Sequence, residues 1–536
     1  MASYLLQGGF AVGVAYFLLK FFFLGWSRKS TTTTRPLPPG PRPKPLIGNL
    51  QDLPPAGVEE WIHWAKHKDL YGPISSVTVM GQTIVILNDA QAAIELLEKR
   101  SIIYSSRPRL VFAFEMCGWL NFLSSQPYGE RFRAYRKHVH GLMGSSQLLD
   151  KFGRFQEQEV GRCLLRTLQR PQNFVDHIRT EAGAIILKIA YGYTIEPHRA
   201  DPLVTLADEA LEQFSQATVP GRWLVDVVPA LKHIPQWFPG AGFKRTAREW
   251  DHTLQRVVEG PYDFVRHQIS SGDAPTSYLG DFLKDETLGL KQRVEVKYTS
   301  ASLYTGGADT TVASLSVFCL AMTLYPRVQK RAQEEIDRVI GDHRLPTFSD
   351  RADLPYVEAL LKETLRWHPI GPMCVPHAST QDDEFGGYHI PKGSILMPNI
   401  WLFTHDPDVH RDPMRFDPDR FLDTDGRAPE QDPNRYVFGF GRRICPGRVL
   451  ADQSMWLTVA QMLAVFDITR PGGADASGDD ANVNPKFLGG IISHPEPFEA
   501  TFEPRDGQRE KLIRQIEVRY PWEKSDADYF ENSLKR

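Results

Sequence analysis

The stretch FGFGRRICPGR, Phe438 to Arg448, constrains this chain more than any other. Three glycines, three arginines and one proline surround a single cysteine, Cys445. Glycine and proline at this density exclude the interior of a regular helix or strand. The run is therefore a built loop. Met455, Val459, Met462 and Phe466 recur at helical spacing after it, which predicts a helix from Val449 to Phe466.

The thiol has no obvious companion. The five cysteines (Cys117, Cys163, Cys319, Cys374 and Cys445) are odd in number and widely spread over 536 residues. That pattern argues against a disulfide framework and for a reducing compartment. Cys445 could be a small core residue. As a zinc ligand it would want partners at metal spacing, and none stand there; as a nucleophile it would want a nearby base. As the axial ligand of a heme iron it needs no second cysteine, because the porphyrin supplies the four equatorial bonds. This last option also accounts for the collar. Gly441 and Gly447 let backbone amides approach the sulfur, Arg443 can reach a heme propionate, and Phe438 can pack on the sulfur side and limit water.

Phe438, Gly441, Arg443, Cys445 and Gly447 together fit FxxGxRxCxG, a pattern expected by chance in a chain of this length on the order of once in ten thousand. The stretch resembles the heme-binding loop of the cytochrome P-450 family, the heme-thiolate monooxygenases. The resemblance implies a mainly α fold with a minor β-sheet region. It also implies heme b ligated by Cys445, with the following helix packed on the thiolate side.

Three more stretches bear on that resemblance. TGGADTT, Thr305 to Thr311, lies in a long helical pattern that Pro326 ends. Two glycines inside a helix cost about 1 kcal/mol each against alanine and need a reason. Close helix packing is one. A locally opened helix is the other, with the Thr310 hydroxyl bonded back to the Gly306 carbonyl. The stretch looks like the family's [AG]GxDT motif, which implies that Asp309 and Thr310 deliver the protons that cleave dioxygen. KETLRWHP places Glu363 and Arg366 on one helix face; the resemblance implies that Arg420, in FDPDRF, joins them in a buried charge network. In YGERFRAYRKH the family's tryptophan and arginine correspond to Phe132 and Arg136, so the arginine is kept and the indole N–H is lost. His377 stands where many members carry arginine beside a propionate. The resemblance also points to Phe112, Phe114, Ala308, Met373, Val375, Leu488 and Ile491 as substrate-pocket residues.

The N-terminus is read separately. Tyr4 to Trp26 is apolar apart from Gln7 and Lys20. As a helix it would span about 34 Å, enough to cross a bilayer. Arg28 and Lys29 follow it, which predicts a single anchor at 4–26 with the body on the cytosolic face of the endoplasmic reticulum membrane. Residues 27–45 read as a polar and proline-rich hinge, and 46–536 as the catalytic body. Ile74 to Asn88 predicts a hairpin, Asn88 and Asp89 cap a helix, residues 148–340 are mostly helical, 384–397 is β-rich, and 472–480 is a surface loop.

A net charge of −3 gives no reason to expect a nucleic-acid partner. The chain shows no P-loop, no GxGxxG and no fused flavin region, so the resemblance implies electrons from NADPH through a membrane-bound flavoprotein reductase. Arg131, Arg133, Lys137, Arg442 and Arg448 are candidates for its docking face. The implied substrate is an apolar small molecule, and AQEEIDRVIG and DLPYVEALLKETLRWHP look most like fungal microsomal members that tailor secondary metabolites. Rival readings are a reductase-independent heme-thiolate isomerase or dehydratase, a non-catalytic heme-binding protein, and a membrane-tethered helical scaffold with a buried cysteine.

Overall fold

The computed structural model describes residues 35–533 except 56, 220, 424–425 and 472–484. The predicted anchor at 4–26 and the loop at 472–480 lie outside the described residues.

The body is mainly helical. The helices that position the site are α1 (Glu130–Met143), α2 (Gly153–Gln169), α3 (Phe174–Tyr191), α4 (Pro202–Ala217), α5 (Gly242–Ser271), α6 (Leu290–Ala308), α7 (Thr310–Leu324), α8 (Pro355–Trp367) and α9 (Arg448–Val465). α6 and α7 run as one 35-residue rod with a break at Asp309. α7 is apolar on all sides, as a helix at the centre of a large core must be. Residues 290–324 are long and apolar enough to cross a membrane, but 72% of their most apolar window is buried inside the protein, so this is a core helix.

Apolar side chains gather in two large clusters. One joins residues of α1, α3, α4, α5 and α6; the other joins α2, α7, α8 and α9. α9 is buried almost throughout, with Trp456, Leu457, Val459, Met462 and Leu463 all without exposed surface. Each such side chain contributes roughly 1.5–3 kcal/mol, which fixes the helix that begins at the cysteine loop.

Four strands form a small mixed sheet: β1 (Ile74–Val79), β2 (Gln82–Leu87), β3 (His377–Ala378) and β4 (Ile395–Pro398), in the order β1-β2-β4-β3. β1 and β2 form the expected hairpin, with Ile74 opposite Leu87 and Val79 opposite Gln82. Its two-residue turn holds Met80 at φ 48° and Gly81 at φ 88°, the left-handed pair that matches strand twist. β2 pairs parallel with β4, and β4 antiparallel with β3, which carries His377. The β-rich zone resolves into Asp383–Phe385, Tyr388–Ile390 and β4. Asp89 caps the next helix through Ala92 N–H at 2.7 Å; after Ala93 that helix continues as a π-turn to Lys99.

The described part of the proline-rich segment is hydrogen-bonded to the body. Ser76 donates to the Pro38 and Pro39 carbonyls at 2.6 and 2.8 Å, and His389 N–H donates to Pro36 at 2.8 Å. A Cβ on Gly40 would lie 1.9 Å from the Ser76 carbonyl, so only glycine permits this approach. From Pro36 onward the segment is fastened to the edge of the sheet.

Candidate active site

The cysteine loop is held from several sides. Cys445 N–H donates to the Phe438 carbonyl at 2.8 Å, and Arg136 on α1 donates to the Ile444 carbonyl at 2.7 Å. Burial pushes the Cys445 thiol up, while the Gly447 and Arg448 N–H groups and the Arg136 and Arg448 guanidiniums act to lower it. Those N–H groups open α9, so the positive end of a helix points at the sulfur. Gly447 has the reason expected, its N–H acting on the sulfur, and Gly441 has another. Gly441 sits at φ 49°, and a Cβ there would lie 2.6 Å from the Leu97 carbonyl, so its constraint is the loop's docking on Ile94–Lys99. A Cβ at Gly447 would lie 3.9 Å from the sulfur, an ordinary contact. Phe438 is half-buried and packs against the cluster that holds α9.

Arg443 reaches inward to three carbonyls: Ser105 at 2.6 Å, Leu123 at 3.2 Å, and Gln126. Its guanidinium lies 3.8 Å from the centre of the Phe132 ring. Phe132 thus replaces the family's tryptophan as a platform under the arginine, without the N–H. Burial, then the Arg107 and Arg136 charges, push Arg443 down to about 8. Arg107 donates to Ser124, Val375 and Pro376 carbonyls, each at 2.8 Å, and burial pushes it down to about 10. Arginine does not give up its proton in proteins, so these directions signal cations gathered without a counter-charge. Among the described residues none of the three has a carboxylate partner.

His377 completes the group. It has no exposed surface, and its Nδ1 donates to the Tyr104 carbonyl at 2.8 Å. Its Nε2 has no partner. Burial holds the ring well below the usual histidine range, so Nε2 could donate only as the imidazolium, which an adjacent carboxylate would stabilise. A thiol at a helix N-terminus, three guanidiniums bonded to backbone carbonyls and, among the described residues, to no carboxylate, and an imidazole nitrogen without a partner fit a metal-centred group with anionic arms, as heme has.

On the other side, the rod breaks where expected. Asp309 leaves helical geometry at φ −118° and ψ −31°, and the Thr310 hydroxyl donates to the Gly306 carbonyl at 2.9 Å. The two glycines divide the work. A Cβ on Gly307 would lie 2.9 Å from Ile186, so Gly307 lets α3 and α6 touch; a Cβ on Gly306 would meet nothing within 4 Å, so Gly306 faces open space. Asp309 is not alone: His494 Nε2 donates to its Oδ2 at 3.0 Å.

Glu363, Arg366 and Arg420 converge with at most 4% exposure each. Arg366 grips the Glu363 carboxylate with two bonds of 2.7 and 2.8 Å, and Arg420 adds Nε at 3.1 Å. Asp417 N–H donates to the same carboxylate at 2.7 Å. Arg420 also meets Glu430 at 2.9 Å; against the upward push of burial, His410 and Arg420 hold Glu430 at about 2.

The pocket residues are placed unevenly. Phe112 has no exposed surface: it stacks on Trp223 at 3.6 Å and meets Trp250 edge-on at 5.6 Å, so it belongs to an aromatic core and not to an open wall. Met373 is buried among Trp61, Ile86 and Met397, and Phe114 and Ala308 are likewise buried. Val375 and Ile491 are half-buried, and Leu488 is exposed. All five docking candidates are exposed; Arg131 also donates to the Tyr135 hydroxyl at 2.9 Å, and Arg442 to the Ser101 hydroxyl. Sequence reasoning missed Arg107, Glu430 and His494, since a lone arginine, glutamate or histidine in a loop carries no spacing signal.

Comparison with known proteins gives one result. The family model for cytochrome P-450 matches residues 38–502. The cytochrome P-450 monooxygenase ppsD of Aspergillus oryzae is 45% identical over 521 residues, 96% of this chain and 98% of that protein. The cytochrome P-450 monooxygenase claR of Ampulloclitocybe clavipes is 49% identical over 90% of this chain and 88% of its own length. The O-methylsterigmatocystin oxidoreductase of Aspergillus flavus is 43% identical over 92% of this chain and 93% of its own. With the thiol loop, the broken rod and a match of this extent, the chain belongs to the cytochrome P-450 family of heme-thiolate monooxygenases.

Proposed function

We propose that this protein is a fungal microsomal monooxygenase. It inserts one atom of dioxygen into an apolar small molecule, an intermediate of secondary metabolism, by hydroxylation, epoxidation or a related oxidation. Electrons come from NADPH through a flavoprotein reductase. The observation that carries the reading is the convergence of Cys445, at the N-terminus of α9, with Arg107, Arg136, Arg443 and His377, none of them paired with an acid among the described residues.

Heme bound there supplies the iron that activates dioxygen. The chain's own residues do the rest. Cys445 gives a thiolate whose charge the Gly447 and Arg448 N–H groups share. The guanidiniums and His377 hold the propionates. Thr310 and Asp309 line the opened stretch of the rod and hold protons there. Arg133, Lys137, Arg442 and Arg448 offer the reductase a basic face. The segment 4–26 anchors the body to the endoplasmic reticulum membrane, cytosolic side out. The Asp309–Thr310 pair favours this reading over a reductase-independent isomerase or dehydratase, which would need no such proton source.

The test is direct. The purified full-length protein should bind heme and give a thiolate-type Soret band when reduced under carbon monoxide. With added reductase it should consume NADPH and dioxygen. An untargeted metabolite comparison of deletion and wild-type strains should then reveal an accumulating substrate one oxygen short of a lost product. A heme protein that ignores reductase and NADPH would overturn the monooxygenase reading.

A further inference from the structure

The partner of Asp309 lies far from it in sequence. His494 belongs to the loop 487–495, which folds back on itself: Leu488 N–H donates to the His494 carbonyl at 2.8 Å, and Phe487 bridges Pro495. The loop is fastened independently of His494. Ser493 N–H donates to Ile370 at 2.7 Å, the Ser493 hydroxyl donates to Leu488 at 2.8 Å and accepts from His368 at 2.8 Å, and Phe487 stacks on His368 at 3.5 Å. Gly490, at φ 133°, lets the loop pass close to Ser215 of α4. With so many other ties, the bond from His494 to Asp309 is not what holds the loop in place.

Beyond this pair the charges continue outward. Asp208 on α4 lies within electrostatic reach of both Asp309 and His494, and burial, the largest cause, pushes it up to about 6. Arg179 on α3 meets Asp208 at 3.1 Å and Asp176 at 2.9 Å. The Asp176 side chain is 70% exposed. Thr310, Asp309, His494, Asp208, Arg179 and Asp176 therefore form a file of polar groups from the opened rod to the surface between α3 and α4. Charged groups that face His494 include Asp309, from the rod, and Asp208, from α4; buried His368, just past the end of α8, is pushed down by burial and faces it as a neutral ring.

We propose that His494 is a positioning residue for Asp309, holding its carboxylate by the Nε2–H bond and resupplying it with protons taken up on the Asp208 side. The proposal rests on the monooxygenase reading. Cleaving dioxygen with two electrons from the reductase takes two protons and releases one water, the second oxygen atom going to the substrate. Asp309 can give a proton only after it has received one. The imidazolium of His494 is its hydrogen-bonded donor, and the ring regains a proton from solvent past Asp208.

The experiment uses the full-length holoenzyme. In the reduced, carbon monoxide-bound form, which is diamagnetic, His494 is followed by NMR with ¹³Cε1-labelled histidine, its resonance assigned by its loss in His494→Gln. At a fixed pH the His494 resonance should move in Asp309→Asn, because the ring loses its carboxylate acceptor. With reductase and NADPH, dioxygen consumption is measured in water and in deuterium oxide. His494→Ala should slow it about tenfold, the scale of a lost general acid. His494→Gln keeps an N–H donor but hands on no proton; it should recover much of the rate with a larger solvent isotope effect than the wild type. An unmoved His494 resonance in Asp309→Asn, or rates and isotope effects of both His494 variants equal to the wild type, would overturn the proposal. If the wild type lacked a thiolate-type Soret band while the His494 resonance still responded to Asp309→Asn, the monooxygenase reading would fail and the His494–Asp309 contact would stand.

Discussion

Replacing Glu363 with glutamine tests whether the buried charge network holds the heme-loop side of the molecule together. The Glu363 carboxylate accepts two bonds from Arg366, one or more from Arg420 and one from the Asp417 N–H. Neither Glu363 nor Arg366 has any exposed surface, and Arg420 is 4% exposed. The amide keeps the shape but removes the charge, and its NH₂ faces donors. Arg420 would then keep one acid, Glu430, and Arg366 would keep only its backbone carbonyls. Breaking a buried pair by removing one partner costs about 3–5 kcal/mol, a large share of a typical stability of about 5–15 kcal/mol. The assay is a thermal melt of the holoprotein together with its heme content by absorbance. Glu363→Gln should melt well below wild type and purify with substoichiometric heme, while Glu363→Asp should lose less. A melt and heme content equal to wild type would refute the reasoning. The pH dependence has a definite sign. Glu430 titrates at about 2 in the fold against an ordinary 4.5, so its contribution is full above about 4.5 and is lost as pH falls toward 2. Glu430→Gln should flatten the acid limb of stability in that window.

Three other outcomes follow from the site. Cys445→Ser should abolish the thiolate-type carbon monoxide spectrum and turnover, whereas a plain core role for the thiol would leave a spectrum and cost only stability. Arg107→Ala removes a guanidinium that no sequence motif marks; dissociation of heme to an apo-globin acceptor should quicken about tenfold or more, with the Soret position unchanged. Arg133→Glu combined with Lys137→Glu should slow reduction by the reductase several-fold, most clearly at low salt, and leave the carbon monoxide spectrum intact.

What could be read from the chain was whatever a short spacing encodes. The Cys445 loop, the Gly306–Thr310 back-bond and the Glu363–Arg366 pair are each written within about ten residues, and the hairpin with its Met80–Gly81 turn is equally local. Arg420 joined the network only through family resemblance. Arg107 and His494 were invisible because each meets its partners across long stretches of chain, and Glu430 because it reaches Arg420 and His410 through a loop that has no periodic spacing. Nothing near Arg107 announces that it ends beside the Val375 and Pro376 carbonyls. The neighbours of Phe112 were hidden for a related reason: Trp223 and Trp250, which pack against it, come from two other segments. The glycines at 306 and 307 look equivalent in sequence, and only the approach of Ile186 separates them.

The fastening of Pro36 to Pro39 along β1 sets the length of a leash. Arg35 is tied too, to Glu384 at 3.2 Å, so the sequence has eight residues, 27–34, between the proposed anchor at 4–26 and the first fastened residue. Fully extended, eight residues reach at most about 28 Å, little more than the radius of gyration of about 23 Å expected for a body of some 500 residues. On the proposed reading in which 4–26 spans a bilayer, so short a run would keep the body at the surface with little room to roll. An apolar substrate dissolved in the lipid would then be met at its two-dimensional concentration in the membrane, so its hydrophobicity would enter the apparent affinity before any pocket contact is made. Lengthening the run between Trp26 and Pro36 would loosen that coupling while leaving every residue of the active site in place.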